Sequence, residues 1–166
     1  MVELPNEDLP AKQKAAELTS LARRGANPLD IAPPSPDWIA ENDRANVDPP
    51  FATLTYYGPD PTQATKAVLT RIDGYEKAAG GMEKWYADAA HQDADVQHTI
   101  EATMDDWGLD TLVLSQGVTG CPHEEKIDFP EGQDCPECPF WTGLQGSGGF
   151  DDTRFLWGVQ AYRRRD

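Results

Sequence analysis

Long apolar runs are missing from this chain, and no stretch approaches the roughly 20 residues that a helix needs to cross a bilayer. The first eight residues, Met1 to Asp8, carry acidic side chains where a secretory leader carries basic ones. Together these absences lead us to expect a soluble, cytoplasmic protein. Lysine is scarce as well, with 6 of the 14 basic residues, against 29 acidic residues of which 18 are aspartate, for a net charge of -15. Such a surface repels nucleic acid and anionic membrane, which argues against both as partners. Exposed aspartate with little lysine suits a high-salt cytoplasm, where a Debye length of about 3 Å at 1 M screens self-repulsion, so halophilic adaptation is one expectation. A competing reading is an acidic regulator that occupies the groove of a basic partner, but the charges are spread along the chain and form no stripes. Cysteine is the third scarcity. Three are an odd count, so disulfides would leave one thiol over, and a reducing compartment would not keep even the first pair.

A chain of 166 residues suits one domain. We expect residues 1–48 to form a helical and proline-rich extension and residues 49–166 to form an α/β (α+β) domain. In the extension, Ala15, Leu18, Leu21 and Ala22 fall at helical spacing between Pro10 and Gly25. Four prolines between Asn27 and Pro36 exclude regular structure, and Asp37 fits the cap of a short helix through Trp38, Ile39 and Glu41. In the body, FATLTYY (Phe51 to Tyr57) has the aromatic and β-branched composition of a strand. After the Gly58-Pro59-Asp60-Pro61 turn, Val68, Thr70 and Ile72 alternate as a second strand does, and Met82 to Tyr86 fits a third. Asp93 or Asp95 starts a helix with Val96, Ile100, Met104 and Trp107 on one stripe and Gly108 at its stop. Thr111 to Leu114 reads as a buried strand. Phe155, Val159 and Tyr162 then mark a C-terminal helix whose last turn holds Arg163, Arg164 and Arg165, favoured there by the helix dipole. The expected fold is a small mixed sheet of three to four strands with packed helices. Three antiparallel strands, a helix and a further strand is the order in which ribonuclease-H-like domains begin. Nuclease function does not follow from it, because FATLTYY has no acidic residue and the late strand continues only into Ser115 and Gln116.

The segment that carries chemistry is Gly120 to Trp141, GCPHEEKIDFPEGQDCPECPFW. Cys121-x-His123 and Cys135-x-x-Cys138 are two close pairs separated by eleven residues, as tetrahedral zinc requires when each pair grips one side of the ion. Prolines 122, 136 and 139 stiffen the turns. Between the pairs, Lys126 to Phe129 suits a short strand and Pro130-Glu131-Gly132 a reversal, making a zinc knuckle at 120–141. Four side chains leave no position for water, so the zinc should be structural. Three cysteines and a histidine also suit an iron–sulfur cluster, but the long gap with a hairpin inside it fits zinc better.

A catalytic alternative is that His123, Cys135 and Cys138 hold zinc, water takes the fourth place, and Glu125 shuttles protons as in zinc deaminases. Against it, Asp134 stands where that motif has proline, only nine residues separate Glu125 from Cys135, and Cys121 is placed to fill the water's position. His91, Asp95 and His98 lie about one helical turn apart and offer a second metal site, with helix capping and solvated histidines as the plainer reading.

The pairing of PPFATLTYYGPD (Pro49 to Asp60) with GCPHEEKIDFPEG…CPECPFW resembles a group of small bacterial proteins of unassigned function over roughly residues 49 to 141. The resemblance implies that the two segments share a domain and implies no activity. The expectation is therefore a zinc-stabilised binding or accessory module for an unknown protein partner. Phe140 and Trp141 serve either as contact residues or as packing beneath the zinc.

Overall fold

A computed structural model describes residues 2–41, 47–144 and 157–165 of the chain. It contains the helices α1 (Ala11–Arg23) and α2 (Ala94–Trp107). Its strands are β1 (Trp38–Ala40), β2 (Phe51–Tyr57), β3 (Lys66–Ile72), β4 (Gly81–Tyr86), β5 (Thr111–Val118) and β6 (Val159–Arg164). The strands form one mixed sheet in the order β1-β6-β5-β2-β3-β4. This is the expected α+β class with more strands than the sequence suggested.

β2, β3 and β4 run antiparallel through tight connections. Asp60 closes the first of these, its carboxylate accepting from the Thr62 backbone N–H at 2.7 Å. α2 then carries the chain across the sheet so that β5 pairs parallel with β2, matching Ala52 with Leu112 and Leu54 with Leu114. The Asp93 side chain caps α2 by accepting from Val96 N–H at 2.9 Å, and Gly108 ends it in the left-handed conformation at φ 67°. The helix buries Val96, Ile100 and Met104, which join Leu54, Tyr56, Leu69, Leu112 and Leu114 in one core.

Two helices expected at the chain's ends are strands instead. Residues 159–164, expected as the end of a C-terminal helix, form β6, which pairs antiparallel with β5; residues 151–156 of that expected helix lie outside the described residues. Trp38 to Ala40, expected as a short capped helix, form β1 on the far side of β6. The cause is the backbone of β5. It is buried along nearly its whole length, so its second edge must find hydrogen-bond partners, and a strand supplies them where a helix does not. The terminal arginines then serve ion pairs and not a helix dipole: Arg163 meets Glu41 at 2.9 Å, and Arg164 meets Glu101 at 3.3 Å with its guanidinium over Trp38. The N-terminal segment is likewise built into the body, since Leu18, Leu21, Ile31 and Trp38 belong to the same core. Among the described residues no helix is long and apolar enough to cross a membrane.

Tyr56 is fully buried, and burial pushes its hydroxyl up to about 12 from 10.0, with a hydrogen bond from Gln97 pulling the other way. A folded-state pKa above the unfolded one means that this stability is whole below pH 10 and drains away as pH rises towards about 12. Urea unfolding at stepped pH should show a loss of about 2 to 3 kcal/mol across that window, and Tyr56→Phe should flatten it.

Candidate metal centre

The centre is assembled where the two parallel strands end. β5 runs past β2 into Thr119, whose N–H and hydroxyl both bond to the Tyr56 carbonyl, at 2.9 and 3.2 Å. Gly120 follows and accepts from the Gly58 N–H at 2.8 Å, which delivers Cys121 at the mouth of the sheet. Gly58 holds the other half too, because its carbonyl accepts from Trp141 Nε1 at 2.8 Å, three residues past Cys138. A side chain at Gly58 would meet the Gln63 carbonyl oxygen at 1.7 Å, so only glycine fits the β2–β3 turn from which both contacts are made.

Cys121, His123, Cys135 and Cys138 offer four ligand atoms that all lie within 4.8 Å of one another. His123 Nδ1 is 3.3 Å from Cys121 Sγ and 3.4 Å from the sulfurs of Cys135 and Cys138. Ideal zinc–sulfur and zinc–nitrogen bonds at tetrahedral angles put sulfur about 3.5 Å from nitrogen, so the spacing fits an ion at the centre. The partners of the imidazole also fit. The other ring nitrogen, Nε2, faces a Glu137 carboxylate oxygen at 3.0 Å, which assigns the ring proton to Nε2 and leaves Nδ1 as the donor atom. The His123 N–H points at Cys121 Sγ at 3.3 Å, as backbone amides do towards thiolates. The three cysteines are buried and in no disulfide. Burial pushes the Cys121 and Cys138 thiols up, so a cation among them is what would hold them as thiolates at neutral pH.

The segment between the ligand pairs differs in part from expectation. Lys126 to Phe129 form a tight turn and not a strand: Lys126 has φ 74°, its N–H bonds to the Phe129 carbonyl at 2.8 Å, and Asp128 accepts from Glu124 N–H at 2.7 Å. Four residues with such local partners close on themselves, and Ile127 is left exposed. The reversal at Pro130 to Gly132 is present, with the Gln133 N–H on the Pro130 carbonyl at 3.2 Å. Glu125 faces this reversal. Its carboxylate accepts from Gly132 N–H at 2.7 Å, which ties it to the hairpin. Phe140 and Trp141 lie beneath the centre at 2% exposure each, packed edge to face at 5.1 Å, so they are packing and not a contact surface.

Three lysines complete the surroundings, and composition alone gave no signal for them. Lys66 Nζ donates to the Pro122 carbonyl at 3.1 Å and faces Glu124 at 3.5 Å, and Glu124 also holds Lys84. Those lysines keep the Glu124 carboxyl below its usual range, Lys84 acting most strongly. Lys14 of α1 donates to the Phe140 carbonyl at 2.6 Å. His91, Asp95 and His98 do not form a second centre, and the Cys121–Cys138 group is the sole candidate among the described residues. Desolvation lowers the His91 pKa, and its Nδ1 is buried without a hydrogen-bond partner. Beside the centre an open groove of ≈ 770 Å³ is lined by Tyr86, Asp88, Pro122, His123, Asp128 and Glu137 among others. No family model matches the chain, and neither a curated protein nor a solved structure shows a significant match to it.

Gly58→Ala should therefore unsettle both halves of the centre at once. We expect a loss of about 2 to 4 kcal/mol in denaturant unfolding, well above the cost of an alanine at Gly74, where a new side chain would meet only the flexible Lys77 side chain.

Proposed function

We propose that the chain is a zinc-stabilised module that acts by binding, with the Cys3His centre structural and not catalytic. The supporting observation is that four protein ligand atoms lie within 4.8 Å of one another with nitrogen–sulfur spacings that suit zinc, and four such ligands leave no position for a substrate or a reactive water. A cluster of several irons with bridging sulfides would need more room than ligand atoms within 4.8 Å of one another allow, so a single ion is favoured over an iron–sulfur cluster. Catalytic zinc would also need Glu125 facing the ion, whereas its carboxylate is engaged by the Gly132 amide. With Phe140 and Trp141 buried, binding falls to the groove beside His123, where Tyr86 is 64% exposed. The surplus of aspartate over lysine supports a high-salt cytoplasm as the setting.

The test is metal analysis of the purified chain beside Cys121→Ser. One bound zinc per chain is expected, and the variant should lose it and unfold at least about 10 °C lower, since structural zinc contributes folding free energy outright. Zinc retained in the variant with one solvent-filled coordination position would overturn the structural reading in favour of a catalytic one.

A further inference from the structure

Among the described residues only two charged side chains are buried, and both are lysines: Lys14 at 1% exposure and Lys66 at 4%. In a chain with 29 acidic residues and 14 basic ones, chance would favour a buried carboxylate. An ammonium group is costly to remove from water unless something nearby repays the loss. Each of these two donates to a backbone carbonyl in one of the ligand turns. Lys66 holds Pro122, which lies between Cys121 and His123, and Lys14 holds Phe140, two residues beyond Cys138. A divalent ion bound by three thiolates and a neutral imidazole leaves one net negative charge buried in the protein. Around the first turn Lys66 and Lys84 share the single carboxylate of Glu124, which leaves one positive charge over. At the second turn Lys14 brings a charge from a helix more than a hundred residues away, with Glu7 and Asp8 acting on it only at longer range.

We infer that Lys14 and Lys66 are the counter-charges of the loaded metal centre, and that through Lys14 metal occupancy is coupled to the docking of α1. The inference rests on the structural-zinc reading and adds to it. The Lys14 ammonium lies over the Phe140 ring at 4.9 Å as well as on its carbonyl, and a side chain at Gly143 would meet Ala11 Cβ at 2.5 Å, so α1 is seated directly on the turn that follows Cys138. When the ion leaves, the second ligand turn loses its anchor and the negative charge that favours Lys14 disappears together with it. Linkage then requires the converse: undocking α1 weakens metal binding by the same factor as loss of the metal weakens docking.

The experiment uses the full chain and zinc alone, titrated against a chromophoric chelator, with Lys14→Met and Lys66→Gln beside the unchanged protein. Glutamine removes the charge and keeps a hydrogen-bond donor on a side chain one atom shorter. Each variant should bind zinc about tenfold or more weakly, the size expected for a unit charge in a partly buried site. Limited proteolysis gives the second readout. Zinc-loaded Lys14→Met should be cut within residues 11–24 as readily as the stripped parent chain, while circular dichroism reports an intact sheet. A third readout separates charge from mere packing: with iron in the centre, Lys66→Gln should lower the reduction potential, because it removes a positive charge that favours the ferrous state. Zinc affinities within a factor of two of the parent, or an α1 that stays protected after zinc is stripped, would overturn the inference while leaving the structural centre standing. Failure of the parent chain to bind zinc at all would overturn the structural reading itself, and the inference with it.

Discussion

The convergence of three sulfurs and one imidazole nitrogen within 4.8 Å depends on a few backbone contacts made by residues that are not ligands. Gly58 is the most economical of these, donating to Gly120 just before the first ligand and accepting from Trp141 just after the last. Neither contact would form if β2 and β5 were not parallel neighbours, because only then do both chains leave the sheet at the same end. In open sheets containing parallel strands, the space beyond the carboxyl ends, where neighbouring connections diverge, is where sites collect. Here the divergence is filled by a knuckle that also supplies core. Phe140, Trp141 and Leu144 are buried against the same cluster as the sheet residues.

This arrangement explains how a strongly acidic chain of modest size holds together. Its surface carboxylates repel one another, and its hydrophobic residues amount to 39% of the chain. A metal held by the cluster would add free energy that does not depend on burying more apolar area. The segment that carries the cluster also joins parts far apart in the sequence: the N-terminal helix through Lys14, the β2–β3 turn through Gly58, and β3 through Lys66.

The gathering of Cys121, His123, Cys135 and Cys138 was legible in the sequence because chelation imposes short, fixed spacings that little else produces. β2, β3, β4, α2 and β5 were legible for a related reason, since each carries its own periodicity and its own turn or cap, as with Asp93 and Gly108 around α2. β1 and β6 were not. Val159 and Tyr162 fit a helical stripe as well as a strand, and the choice is made by the unfilled edge of β5, which local sequence does not reveal. The turn at Lys126 was misread as a strand for the opposite reason: Asp128 folds back on the Glu124 amide and overrides the propensity of Ile127 and Phe129. The buried lysines were hidden because composition shows how many charges a chain has and nothing of which are taken indoors.

The histidine makes the cage asymmetric. The three cysteines are 2 to 6% exposed, while the His123 side chain is 32% exposed and its outer nitrogen is braced only by Glu137, a residue itself 72% open to solvent. The imidazole is therefore the hinged door of an otherwise walled chamber. For an ion held as proposed, exchange with a chelator or a competing ion would begin at that ring, where one exposed carboxylate is the brace, and not at the walled sulfurs.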